Sequence, residues 1–296
     1  MRYAAIDIGS NALRLLIADI IVMQGEIGFK KNTLIRVPVR LGDDAFLNKE
    51  ISGRKKEDII NTMQAFALLL EVYKVNDYMA CATSALREAV NGPELIKQIK
   101  SQAGITMEII TGKKEASIIY STHAEQAMDK KKNYLYIDVG GGSTELSLFA
   151  NNKLVASNSF DIGTIRMLDN RDLGSEWKRL KQWVKDNSKG IKNPVGIGTG
   201  GNINKLCRLA GNKEGVPVSF QQLKSLYAML SSYSLKNRIQ VLGLKQDRAD
   251  VIVPAAEIYL TILKWAGIKQ IHVPRVGLGD GIINLLIEKN RKEITI

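Results

Sequence analysis

Residues 136–145 read YIDVGGGSTE, and residues 4–11 read AAIDIGSN. Each runs apolar residues into an aspartate, skips one position and falls into small residues rich in Gly, Ser, Thr or Asn. With Asp7 set on Asp138, Ile6 falls on Ile137, Gly9 on Gly140, Leu15 on Leu146 and Ile17 on Leu148. The stretches 3–8 and 13–22 predict two strands of a hairpin around GSNA, and 134–139 and 145–149 predict the same around the second turn. A strand pattern recurs easily by chance; a placed Asp and Gly do so less easily. The repeat therefore predicts two similar domains, each opening on a hairpin whose tight turn points into one cleft.

Small residues in such a turn have a chemical use. Without Cβ atoms, backbone N–H groups can converge on an oxyanion. Gly140, Gly141 and Gly142 supply such a turn, and Ser10, Asn11, Ser143 and Thr144 add side-chain donors. Asp7 and Asp138 end the incoming strands, where each carboxylate suits a hydrated Mg2+, an ion that takes one or two carboxylates and keeps several waters. Neither turn matches the GxxxxGK[ST] nucleotide loop or a GxGxxG fingerprint. A third glycine run, GIGTGGNINKL (196–206), falls between a predicted strand and helix. Its amides suit an anion or a nucleotide base, or serve only close backbone packing.

Composition narrows the class. The chain has 296 residues, enough for two ordinary domains. Its 42 basic and 30 acidic residues give a formal charge of +12. That field attracts polyanions. No zinc knuckle, aromatic RNA-binding signature or basic arm accompanies it, so nucleic acid is not the expected partner. The apolar runs are too short for a membrane span, and the N-terminus lacks the pattern of a signal peptide; the expected location is the cytoplasm. Only two histidines, His123 and His272, are present, which leaves no His-based metal site or Ser–His–Asp triad. Cys81 and Cys207 lie far apart and read as buried small hydrophobes. Strands alternate with helices, predicting α/β layers. Helices are expected from about Lys114 to Met128, at 175–187, 201–209 and 220–232, and over 247–265. The polar break DKKKN (129–133) marks the candidate boundary.

Eight ordered segments carry a resemblance: DIGSNALRLLI, ATSALREAVN, ITGKKEASIIY, IDVGGGSTEL, DIGTIRM, IGTGGN, RADVIVP and VGLGDGII. From Tyr3 to about Leu285 the chain resembles the exopolyphosphatase / guanosine pentaphosphate phosphohydrolase (Ppx/GppA) family. The resemblance implies an α/β fold of the actin, sugar kinase and heat-shock ATPase superfamily. That means two ribonuclease H-like domains, each a mixed sheet flanked by helices, with a cleft between them. On that pattern residues 1–126 form the first domain and 127–279 the second, and a helix within 280–296 packs back on the first. The chain resembles the short, two-domain form.

The resemblance also implies chemistry: hydrolysis of a terminal phosphoanhydride, on inorganic polyphosphate or on the 5′-phosphate of guanosine pentaphosphate, with Mg2+. Glu115 matches the family's water-activating glutamate. Glu145 matches a second functional carboxylate, catalytic or metal-holding. Arg87 matches an arginine placed for phosphate oxygens, and Thr83 and Ser84 either donate to phosphate or cap a helix. Lys114 stands where the family has a glutamate, as a cation beside the base or a grip on substrate. Ala12, Asn202 and Gly279 also depart from the usual pattern. Arg166 and Arg248 match family positions without an assigned role. A non-catalytic binder of polyphosphate or alarmone, and a kinase or ATPase of the same superfamily, stay open as alternatives. The resemblance allows a homodimer, and nothing in the sequence places its interface.

Overall fold

The computed structural model describes residues 1–122, 132–151, 153–169, 173–189, 191, 194–213 and 215–294. The chain divides into two compact units, Met1–Ala124 with Leu278–Ile296, and Glu125–Gly277. The boundary expected near residue 126, and the far end of the helix expected to reach Met128, lie outside the described residues.

The first unit begins with a meander of strands β1 (Arg2–Ile8), β2 (Leu13–Met23) and β3 (Glu26–Val37). Helices α1 (Leu41–Ala45) and α2 (Gly53–Val72) follow, then β4 (Asp77–Ala82), α3 (Ser84–Glu88) and α4 (Gly92–Ala103). The unit continues with β5 (Glu108–Ile109) and α5 (Gly112–Ser121). Its sheet has the order β3-β2-β1-β4-β5. β1 runs antiparallel to β2 and parallel to β4, which runs parallel to β5.

The second unit repeats the plan. β6 (Tyr134–Val139), β7 (Thr144–Ala150) and β8 (Lys153–Phe160) form its meander, followed by α6 (Thr164–Leu168) and α7 (Gly174–Asn187). Next come β9 (Val195–Thr199), α8 (Gly200–Leu209), β10 (Val218–Ser219) and α9 (Phe220–Ser232). Helices α10 (Leu235–Gln240), α11 (Gln246–Ala249) and α12 (Ile252–Trp265) and strand β11 (Gln270–His272) complete it. The sheet order is β10-β11-β9-β6-β7-β8. β6 is antiparallel to β7 and parallel to β9, as β1 is to β2 and β4. The two expected mixed sheets flanked by helices are both present. The chain then returns to the first unit as α13 (Leu278–Lys289) and α14 (Arg291–Ile294).

Each unit has its own core. In the second, Ile137, Leu146, Phe160, Ile203, Tyr259 and Ile262 are among the fully buried side chains joining sheet to helices. In the first, Leu278, Ile282, Ile283 and Leu286 of α13 cover Tyr3, Ala5, Leu16 and Ile118. No helix among the described residues is long and apolar enough to cross a membrane.

One expectation on helices is corrected. The stretch 247–265 is two helices, because Pro254 cannot donate to residue 250 and its ring crowds that carbonyl; α12 therefore starts only two residues before it. The last helix ends at Lys289, and a separate short turn of helix follows.

Asp77 at the start of β4 fastens α13. Its Oδ2 accepts from Lys289 Nζ at 2.9 Å and from Asn290 Nδ2 at 2.8 Å. Burial disfavours its charged form, but the Asn290 amide, the Lys289 ammonium and the Tyr78 N–H outweigh burial and hold the carboxyl below its ordinary 3.8. A depressed folded-state pKa means the stabilisation is complete above about pH 4 and fades as pH falls through the folded value. Asp77→Asn is expected to lower stability by about 1 kcal/mol at pH 7, a small figure because solvent screens the pair. In urea titrations the gap between variant and wild type should narrow as pH falls below about 4.

Candidate functional site

In the first unit the site begins at the carboxyl ends of three adjacent parallel strands, the customary place for a ligand in such a sheet. Ile8 pairs with Ala82, and Ala82 with Ile109, so β1, β4 and β5 stop level with one another. Three turns leave from there. Gly9–Ala12 follows β1, Thr83–Ser84 follows β4, and Ile110–Thr111 leads into α5. The turns are tied together: Thr83 N–H donates to Ile8 O at 3.1 Å and Ile110 N–H to Ala82 O at 2.9 Å. Ser10 Oγ and Ser84 Oγ, both buried, lie 2.9 Å apart. Arg87 donates through Nη1 to Ile110 O at 2.9 Å, which sets its guanidinium over the entry to α5.

Glu115 lies in the first turn of α5, whose N-cap Thr111 accepts the Lys114 N–H at 3.2 Å. The Lys114 ammonium is committed elsewhere, at 2.7 Å from each carboxylate oxygen of Glu108. Buried Cys81 reports on this neighbourhood. Burial, and then the negative charges of Asp7, Glu108 and Glu115 with Lys114 opposing, push its thiol up to about 12. Asp7 and Glu115 thus act on one strand end. The structure brings Ser10, Thr83, Ser84, Arg87 and Glu115 to this edge of the sheet.

In the second unit Gly140–Ser143 takes the same course. Gly9 N–H donates to Ala12 O at 3.2 Å, and Gly140 N–H to Ser143 O at 2.9 Å. The constant offset of the repeat extends to strand register, since Ile8 faces Leu13 as Val139 faces Thr144. A segment after the third strand then grips the turn's carbonyls. Thr164 N–H donates to Gly140 O at 3.1 Å, Ile165 N–H to Gly141 O at 2.9 Å, and the buried Arg166 Nε to Gly142 O at 2.6 Å. The first unit does likewise, with Gly42 N–H to Ser10 O at 2.8 Å and Arg40 N–H to Asn11 O at 3.1 Å.

These bonds fix the direction of the amides. In a trans peptide the C=O of one residue and the N–H of the next point opposite ways, and no cis bond occurs here. The N–H groups of Gly141, Gly142 and Ser143 therefore point away from the segment that holds their partner carbonyls. Among the described residues none of the three donates to a protein oxygen. Such a turn is an anion cradle by construction. The grip requires close approach, and Gly163 permits it: a Cβ there would lie 2.5 Å from Gly141 C and Gly142 C.

The carboxylates differ between the two copies. Asp7 faces Arg14 across β1 and β2, and Arg14 Nη1 bonds its Oδ2. Asp138 faces Glu145 at the matching place. Glu145 is buried and accepts from Ser159 Oγ at 2.8 Å, and Asp138 Oδ2 accepts from Thr199 Oγ1 at 2.6 Å. The third glycine run closes on Asp138: Gly200 has φ +85°, and a Cβ there would lie 2.9 Å from Asp138 Oδ1. Beneath them Tyr259 donates to Thr199 O at 3.1 Å. Burial first, then the charges of Asp138 and Glu145, raise its phenol well above the ordinary range. Among the described residues no group of three or more His, Cys, Asp or Glu side chains is placed to hold a metal. The pair Asp138 and Glu145 fits an ion content with two carboxylates and water, as Mg2+ is. The hydroxyl of Thr144 is fully buried and donates to Ile162 O at 2.6 Å.

Residues 21–290 match the Ppx/GppA phosphatase family. The chain is 29% identical over 96% of its length to the bifunctional 3-dehydroquinate synthase/phosphatase of Fusobacterium nucleatum, of which it spans only 46%. It is 25% identical to a putative exopolyphosphatase of Haemophilus influenzae, covering 97% of this chain and 91% of that one. The structure of an exopolyphosphatase from Cytophaga hutchinsonii superposes with a TM-score of 0.83 at 23% identity, over 98% of both chains. The chain thus belongs to the Ppx/GppA phosphatase family, a family of phosphoanhydride hydrolases with the actin-like ATPase fold.

Sequence reading passed over the two gripping segments. DIGTIRM was visible as a family segment and Arg166 as an unassigned arginine, but Arg40–Gly42 carried no signal beyond a Gly after two basic or apolar residues. Gly163→Ala is expected to destabilise the second unit by about 3 kcal/mol through forced backbone displacement. Arg166→Ala should cost about 2 kcal/mol for the lost charged hydrogen bond, and Arg166→Lys should not restore it, because an ammonium cannot reproduce the guanidinium geometry. Urea unfolding of the three variants checks both.

Proposed function

We propose that this chain is a cytoplasmic, Mg2+-dependent exopolyphosphatase, with guanosine pentaphosphate 5′-phosphohydrolysis as the alternative activity of the same site. The observation that carries the reading is the pair of turns whose carbonyls are gripped from one side and whose amides are aimed to the other. A phosphoryl group in transfer spreads negative charge over its equatorial oxygens, and fixed amides stabilise that charge without reorganising. Arg87, Ser10, Asn11 and Ser84 add donors at the first turn, and Ser143 at the second, whereas the N–H and hydroxyl of Thr83 both donate to Ile8 O, at 3.1 and 3.3 Å. The net charge of +12 favours a long polyanion over a single nucleotide.

In this reading Glu115 accepts a proton from the attacking water as its oxygen bonds the terminal phosphorus. The bridging P–O bond breaks, and orthophosphate and a chain shortened by one phosphate leave. Arg87, anchored by its bond to Ile110 O, orients the phosphate relative to the start of α5. Asp138 and Glu145 would hold a Mg2+ ion, and the ion would supply neutralisation of phosphate charge. Asp7, matched by Arg14, orients that guanidinium. Lys114 steadies the start of α5 through Glu108.

Glu115→Gln is expected to lower kcat for phosphate release by about 10²–10⁴-fold while the Kd for polyphosphate stays within twofold of wild type. Near wild-type turnover would remove Glu115 from the mechanism. Chelation with EDTA should abolish release and added Mg2+ restore it, and Asp138→Asn should raise the Mg2+ concentration needed for half-maximal rate. Initial rates on polyphosphate and guanosine pentaphosphate, measured side by side, decide the substrate. Binding of both with hydrolysis of neither would establish a non-catalytic binder.

A further inference from the structure

One phenol approaches the second unit's carboxylates from behind the sheet. Leu135, Ile137 and Val139 of β6 turn into the core, and Tyr259 of α12 is buried in that same cluster. Side chains alternate along a strand, so Asp138 faces the other side of the sheet. Thr199 pairs with Asp138 across β9 and β6 and shares its side, where its Oγ1 donates to Asp138 Oδ2 at 2.6 Å. Tyr259 therefore lies on the face opposite to the carboxylate and reaches it only through the backbone.

The hydroxyl of Tyr259 meets main-chain groups on three residues. It donates to Thr199 O at 3.1 Å and lies 3.5 Å from Ile137 O. Carbonyls only accept, so the phenol is the donor. Its oxygen in turn takes a main-chain hydrogen bond from Val139. One hydroxyl thus touches the residue before Asp138, the residue after it and the residue paired with it. Further bonds hold the same stretch: Asn202 Nδ2 donates to Val139 O at 2.9 Å, and Gly200 N–H to Val276 O at 3.3 Å. A phenylalanine would fill the same space with no polar atom to bury. What the oxygen adds is its bonds, and these fall on the main chain around Asp138.

We propose that Tyr259 is a positioning residue for Asp138: it fixes the Thr199 main chain, and the Thr199 hydroxyl passes that position on to the carboxylate. This rests on the reading in which Asp138 and Glu145 would hold Mg2+. Groups that orient a ligating carboxylate tune its affinity for the ion without touching it. Here the orienting chain runs from one sheet face to the other, from the α12 phenol through the end of β9 to the end of β6.

The test compares wild type with Tyr259→Phe, which deletes one oxygen and keeps the ring in the core. Thr199→Val, Thr199→Ser and the Tyr259→Phe/Thr199→Val double variant accompany it. Mg2+ alone is titrated calorimetrically into each substrate-free protein, and the Mg2+ concentration for half-maximal phosphate release from polyphosphate is measured in parallel. Tyr259→Phe should raise the Mg2+ Kd about tenfold, as loss of an orienting partner does. The half-maximal rate should need correspondingly more Mg2+, while KM for polyphosphate at saturating Mg2+ stays at the wild-type value. A general loss of stability would not give that split. Thr199→Val should match Tyr259→Phe, and Thr199→Ser should keep most of the affinity. The double variant should be little worse than either single one, because both residues act in one chain of contacts. A wild-type Mg2+ Kd in Tyr259→Phe, or fully additive losses in the double variant, would overturn the relay. Wild type that releases no phosphate, with the Mg2+ Kd still shifting in the variants, would overturn the exopolyphosphatase reading and leave the relay standing. Wild type that binds no Mg2+ would overturn the relay and the metal assignment together.

Discussion

The grip on three consecutive carbonyls, those of Gly140, Gly141 and Gly142, is the constraint from which the second unit's chemistry follows. A peptide plane has two ends, and occupying one end commits the other. The sheet delivers the turn at the end of β6, the short helix after β8 arrives beside it, and the lack of a side chain at Gly163 lets them meet. The first unit reaches the same result with different residues. There Arg40 uses its backbone N–H in a left-handed conformation, φ 56° and ψ 50°, which costs a non-glycine residue about 1 kcal/mol or more. Two bonds to Asp43 and the Lys55 bond to its carbonyl hold Arg40 there. One unit uses a guanidinium and the other a strained backbone, but both leave a turn whose amide directions are fixed by the fold.

Charge then separates the two copies. Opposite charges facing each other across strands stabilise a sheet and like charges weaken it. Asp7 and Arg14 make the first kind of pair; Asp138 and Glu145 make the second. The second is tolerated with hydroxyl donors from Thr199 and Ser159. A sheet retains such a pair at a cost, and a bound cation offsets that cost directly. The duplicated fold therefore sets an Asp–Arg pair beside one turn and an Asp–Glu pair beside the other.

Much of this was legible in the sequence, and the reasons are particular. The hairpins around both turns followed from alternation and from a repeated Asp-x-Gly, because strand period and glycine placement are local properties. β3 and β8 were not anticipated. KKNTL in β3 and KLVASNS in β8 are too polar or too mixed to read as strands, since both lie at the outer side of a meander with one flank unpaired. Glu115, Glu145 and Arg87 were singled out by family pattern, whereas their partners were not: that Arg87 would bond the Ile110 carbonyl, or Lys114 turn to Glu108, depends on distances that no spacing encodes. Likewise Asp7 and Asp138 looked equivalent until the residues opposite them were known. The residue facing an aspartate across a hairpin can be counted from the turn, so Arg14 against Glu145 is a distinction the sequence held in plain view.

The route of the chain has a further consequence for how the protein is made. The second unit is one unbroken stretch, but the first is assembled from two pieces far apart in sequence. Synthesis runs from the N-terminus, so β1 and β2 emerge long before the helix that covers Tyr3, Ala5 and Leu16. Until residues past Leu278 leave the ribosome, that apolar side of the sheet has no native cover. The second unit can complete its core in the meantime. The nascent chain thus finishes its middle before its beginning, and the interval in which the early sheet stays bare is when it is most open to aggregation or chaperone capture.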